Sequence, residues 1–114
     1  MPPSLADRLA HILEAIEIIN DLIERSTADA IAADRHLRLA LERAFEIVCE
    51  ASRHVPDEIK TRETEIDWRK MADMGNLLRH AYHRVDVDRM IEIARRELSP
   101  LKEFTERLVR EQKS

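Results

Sequence analysis

Apolar residues recur along this chain at three- and four-residue steps. Leu5, Leu9, Ile12, Leu13, Ile16, Ile19 and Ile23 fall on one stripe of a long helix that should end near Ser26-Thr27. A short helical turn over residues 28–33 is expected next. Asp34 is a good N-cap for a further helix, whose inward stripe is Leu37, Leu41, Ala44, Phe45, Val48 and Ser52. Pro56 should end that helix near His54, because the residue before a proline is pushed out of the helical region. Residues 57–66 are polar and read as a short helix or loop, after which Asp67 caps a turn beginning at Trp68. Asp86 caps the last helix, with Val87, Ile91, Ala94, Leu98, Leu101 and Leu108 inward and a kink expected at Ser99-Pro100. Four main helices plus short helical turns, with short connections, predict an all-α antiparallel up-and-down bundle formed as one domain over residues 1–114.

Composition agrees with the pattern. The 114 residues contain one glycine, Gly75, and four prolines, too few turn-makers for a hairpin-rich β fold. Hydrophobic residues make up 44% and charged residues 37%, a globular balance. A net charge of −4 argues against binding nucleic acid by bulk charge, though not against a local basic site. The single cysteine, Cys49, lies on a helical stripe and reads as a buried, inert thiol. Met1-Pro2-Pro3-Ser4 lacks the basic and apolar regions of a signal peptide, and no stretch approaches the roughly 18 apolar residues of a membrane span. A cytoplasmic location without membrane contact is therefore expected.

The segment from Met71 to about His83 changes the picture from fold to chemistry. Met71, Met74, Leu78 and Ala81 share one helical face, and Asn76, Arg79, His80 and His83 share the opposite one. His80 with His83 and Glu50 with His54 have one-turn spacing, but neither makes the repeated Glu-x-x-His pattern of di-metal bundles, so no metal or cofactor is expected. The chain also lacks a phosphate-binding glycine loop and a Gly-x-Ser-x-Gly elbow. Trp68 reads as a core anchor, and Met71, Met74 and Met90 as packing residues. Arg84, Arg89, Arg95 and Arg96, interleaved with Asp86, Asp88 and Glu92, read as a solvated mixed-charge face.

The run from Asp67-Trp68-Arg69-Lys70 through Met74-Gly75-Asn76-Leu77-Leu78-Arg79-His80-Ala81-Tyr82 resembles the signature of HepT-like toxins of the HEPN superfamily. In that signature an Arg-Asn pair precedes a His at fixed spacing, and a Tyr follows two residues later. The resemblance extends to the opening Asp7-Arg8-Leu9-Ala10-His11, to Leu41-Glu42-Arg43 and Ile47-Val48-Cys49-Glu50-Ala51, and to Tyr82-His83-Arg84-Val85-Asp86. It implies a homodimeric, metal-independent RNA endonuclease. It also implies that a cognate minimal nucleotidyltransferase antitoxin attaches AMP to Tyr82 and so restrains a toxin. His80 has the right chemistry for a general acid/base near neutrality. A guanidinium nearby would stabilise a phosphate that gains charge in the transition state, and Asn76, one turn before His80, would position phosphate or water.

Gly75 stands where the family signature has its arginine. One reading is that Arg79 substitutes, since helical side chains lean toward the N-terminus and Arg79 would lie over the turn where no Cβ obstructs it. The other is a catalytically silent bundle that binds the nucleotidyltransferase or a nucleotide. A helix-interior glycine costs about 1 kcal/mol relative to alanine, so the glycine needs a reason of its own. Close approach of helices at the dimer seam would be one.

Overall fold

Ser4 opens the first helix, α1 (Leu5–Arg25), through a reciprocal cap: its hydroxyl accepts from the Asp7 amide at 3.1 Å, and the Asp7 carboxylate accepts from the Ser4 amide at 3.0 Å. Hydrogen bonding of the carboxylate by Ser4, through its backbone amide first and its side chain second, holds the Asp7 carboxyl below its usual range. Thr27 caps the short α2 (Ala28–Ala33) by accepting from the Ala30 amide. Asp34 then caps α3 (Arg35–Arg53), taking hydrogen bonds from the amides of His36 at 2.8 Å and Leu37 at 3.2 Å. His54 ends α3 two residues before Pro56, as the proline requires. The computed structural model describes residues 3–80 and 86–113, His80 by its backbone alone.

The polar stretch after Pro56 folds as a single helical turn, α4 (Asp57–Lys60), and leads to α5 (Trp68–His80). After Asp86, which accepts from the Asp88 amide, the chain runs through α6 (Val87–Ile93), a wider π-helical segment (Ala94–Leu98) and α7 (Ser99–Lys113). Sequence reasoning expects an interruption at Ser99-Pro100, and the structure places a π-helical segment in the turn before it. Pro100 has no N–H for the carbonyl of Arg96, and its ring crowds that carbonyl, so widening the preceding turn removes both conflicts without breaking the helix. The apolar stripe survives, since Val87, Met90, Ile91, Ala94, Leu98, Leu101 and Leu108 are all buried.

The described residues form an all-helical bundle in which α3 packs against both α1 and α5, α7 packs on α1, and α2 spans α3 and α6. Leu9, Ile12, Ile16 and Ile19 of α1 and Leu41, Phe45 and Val48 of α3 are sealed from solvent. Each such side chain contributes about 1.5–3 kcal/mol by leaving water. Met71 and Met74 of α5 and Met90 of α6 are buried too, as expected of packing residues. No helix among the described residues is long and apolar enough to cross a membrane.

Candidate functional site

Two contacts hold α5 in place. At its start, Asp67 accepts from the Lys70 amide at 2.9 Å, and the Trp68 ring meets Phe104 of α7 edge-on, with centroids 5.4 Å apart at 82°. The Lys60 ammonium lies 5.4 Å from the same ring, which makes Trp68 the anchor that its place in the sequence predicts. In the middle of the helix, Gly75 rests on Cys49 of α3. A Cβ added at Gly75 would stand 2.9 Å from the Cys49 Cβ, closer than real side chains approach. The glycine therefore serves a close approach made inside the chain, between α3 and α5, and the dimer seam is not needed to explain it. Burial beneath this contact pushes the Cys49 thiol up to about 12, against the opposing charge of Arg79. The thiol is protonated and inert at neutral pH.

Above the Gly75–Cys49 contact the two helices part around a cavity of about 220 Å³. Gly75 and Cys49 border it together with Arg43, Glu46, Glu50, Arg53 and Arg79. Arg79 reaches back one turn, and its Nη2 donates to the Asn76 Oδ1 at 2.6 Å. A guanidinium only donates, so the Asn76 oxygen must face it and the amide nitrogen points elsewhere. The Arg79 Nη1 donates to the Glu50 Oε2 at 3.3 Å across the gap from α5 to α3. That oxygen also accepts from the Arg53 Nη1 at 3.2 Å, while the His54 Nε2 lies 3.1 Å from the other carboxylate oxygen. The His54 hydrogen bond, with the charges of Arg53 and Arg79 in support, holds the Glu50 carboxyl below its usual range. Three arginines and two glutamates give the cavity wall one net positive charge in a chain that is acidic overall.

Of the residues singled out by sequence, Asn76 and Arg79 are brought together on the exposed face of α5. The His80 side chain, Tyr82 and His83 lie outside the described residues. Glu50 and His54, at one-turn spacing in the sequence, share a hydrogen bond in the structure, and Glu50 also pairs with Arg79. Among the described residues, no three His, Cys, Asp or Glu side chains converge as a metal-ligand set. Sequence reasoning missed the part played by Glu50 and Arg53, because Glu50 and Arg79 are 29 residues apart and only the packing of α5 on α3 makes them neighbours. Arg96 pairs with Glu92 at 3.7 Å within one helical turn, in keeping with a solvated mixed-charge face there.

Residues 12–108 match the family described as "Ribonuclease HepT-like". The chain is 36% identical over 108 residues to a protein of Thermococcus cleftensis named "Probable ribonuclease HepT", covering 95% of this chain and 98% of that one. It is 26% identical to "Putative RNase MJ1380" of Methanocaldococcus jannaschii, covering 90% of this chain and 97% of that one. With "Putative RNase TTE0752" of Caldanaerobacter subterraneus it shares 25% identity, over 92% of this chain and 94% of that one. No solved structure matches the chain.

Proposed function

The chain belongs to the HepT-like ribonuclease family, and from that premise we propose that it is the RNA-cleaving toxin of a toxin–antitoxin pair, with Arg79 serving in place of the signature arginine. The observation that carries this reading is the pairing of the Arg79 guanidinium with Asn76 beside the cavity that Gly75 borders. A charge lost at position 75 is thus supplied one turn later, over a residue without a Cβ. In the reaction the RNA 2′-hydroxyl attacks the adjacent phosphorus and the 5′-oxygen leaves. His80 moves the proton, Arg79 stabilises the charge gathering on the phosphoryl oxygens, and Asn76 fixes the guanidinium's direction. Each protomer supplies one Asn76–Arg79 pair on an exposed helix face, and two-fold pairing of that face would line one cleft with two sets. Transfer of AMP from ATP to the Tyr82 hydroxyl by a partner nucleotidyltransferase, with pyrophosphate leaving, would add bulk and negative charge two residues beyond His80.

A second reading, a silent bundle that binds the nucleotidyltransferase or a nucleotide, draws on the same glycine. The Gly75–Cys49 approach leaves no room for a side chain at position 75 in this packing. Incubating RNA with wild type, His80→Ala and Arg79→Ala separates the two. An active enzyme cleaves as wild type, and both variants fall by a factor of roughly a hundred or more. Equal inertness of all three proteins favours the silent bundle. In the same preparation, a nucleotidyltransferase with ATP should add AMP mass to wild type and not to Tyr82→Phe; equal labelling of the two would remove Tyr82 from the account.

A further inference from the structure

The carboxylate of Glu50 sits where three donors meet. Arg79 reaches it from α5, and Arg53 and His54 reach it from its own helix, at 3.3, 3.2 and 3.1 Å. Such a group either holds Arg79 in place or competes with a phosphate for it. The geometry distinguishes the two. Glu50 takes one Nη of Arg79 and Asn76 takes the other, so the guanidinium is gripped at two nitrogens from two helices while other N–H groups stay available. A lone arginine on an exposed helix face has many rotamers, and a transition state is served only by one direction. Glu50 is itself fixed by Arg53 and His54, which makes the hold directional rather than a loose surface ion pair. With Arg43 and Arg53 on the same wall, the cavity stays net positive in spite of the carboxylate.

We propose that Glu50 is a positioning residue for RNA cleavage: with His54 and Arg53 behind it, it aims the Arg79 guanidinium at the phosphoryl group. This rests on the reading of Arg79 given above. The groups facing the Glu50 carboxylate are Arg53 and His54 on α3 and Arg79 on α5, with Arg43 and Glu46 elsewhere on the cavity wall. Removing the carboxylate leaves the wall more positive, so RNA binds at least as well in the ground state while the chemical step slows. The expected signature is therefore a fall in kcat with KM unchanged or lower; because partial unfolding also lowers apparent kcat at constant KM, melting curves and rescue by Glu50→Gln separate the two.

The test measures kcat and KM on one oligoribonucleotide for wild type, Glu50→Ala, Glu50→Gln, Arg79→Ala and the double variant Glu50→Ala/Arg79→Ala, with melting curves for each. Glu50→Ala should lower kcat by about tenfold, within the range that misplacing a catalytic group can reach. Glu50→Gln, which keeps an acceptor oxygen, should recover part of the loss. In the Arg79→Ala background, removal of Glu50 should change kcat by less than about twofold, because the two act as one unit. Equal losses in both backgrounds would overturn the proposal, and so would a rise in kcat on removing Glu50, since the carboxylate would then be a competitor. If wild type cleaves and needs Arg79 but is indifferent to Glu50, this inference falls and the ribonuclease reading stands. Inert wild type overturns both.

Discussion

α1 and α5 pack on the same helix, α3, with opposite economy of apolar surface. α1 commits a full stripe to the core, with Leu9, Ile12, Ala15, Ile16 and Ile19 all buried. α5 commits Met71, Met74 and Gly75, then turns outward within one residue to exposed Asn76, Leu77 and Arg79. The first contact consists of dispersion and dehydration over many side chains. The second has fewer buried side chains, with Leu78 only half-buried, and adds the tight Gly75–Cys49 approach beside a charged cavity. A helix whose stripe is complete has no position to spare for chemistry. A helix held by a tryptophan at one end and a glycine in the middle can carry charged groups at its edge at little cost to the fold.

The strongest test of that contrast is truncation within the sealed core. Phe45→Ala removes a ring sealed in the core and should cost about 3–5 kcal/mol, a drop in Tm of roughly 12 °C or more for a chain of this size. Arg79→Ala should stay within about 0.5 kcal/mol. Melting curves that show comparable losses for the two would break the comparison.

A smaller effect should come from the glycine seam. Gly75→Ala gains about 1 kcal/mol of helix propensity but forces the Cys49 contact apart, at about 1–3 kcal/mol for overpacking, so a net loss of about 1 kcal/mol is expected. In a Cys49→Gly background the obstructing Cβ is gone, and the same substitution should become neutral or stabilising. Denaturant titration of the four proteins closes the cycle, and strict additivity would show that α5 does not rest on α3 at this point.

The smallest effect belongs to the polar edge. The folded state holds the Glu50 carboxyl below its ordinary value of 4.5, so its contribution is present above that value and disappears as pH falls through the lowered one. The carboxylate is about half exposed, at 47%, and solvent screening keeps the gain at or below about 1 kcal/mol. Wild type should therefore melt slightly above Glu50→Gln at neutral pH, and the difference should shrink as the solution is acidified below the ordinary carboxylate range. A difference that persists or grows in acid would reverse the sign assigned here.

The all-helical fold, most helix limits and the polar edge of α5 are written in local pattern. Asp34, Asp67 and Asp86 cap the helices they precede in the sequence, and most of each predicted stripe is buried, with Leu5, Leu13, Ile23 and Leu37 half-buried. These features depend on interactions within a turn or two, where side-chain order along the chain is also order in space. The reciprocal cap at Ser4 is equally local, but its signature is masked because Asp7, not the usual Glu or Gln, completes it. Tertiary structure decided the rest. The close packing of Gly75 on Cys49 and the ion pair between Glu50 and Arg79 depend on the offset and rotation of α5 against α3, and an apolar stripe leaves both undetermined. At Pro100 the interruption that the sequence signals takes the form of a wider turn over Ala94–Leu98, and the buried stripe continues through it into α7. The sequence alone placed Asn76 and Arg79 on one face; only the folded chain supplied the carboxylate that holds the arginine there.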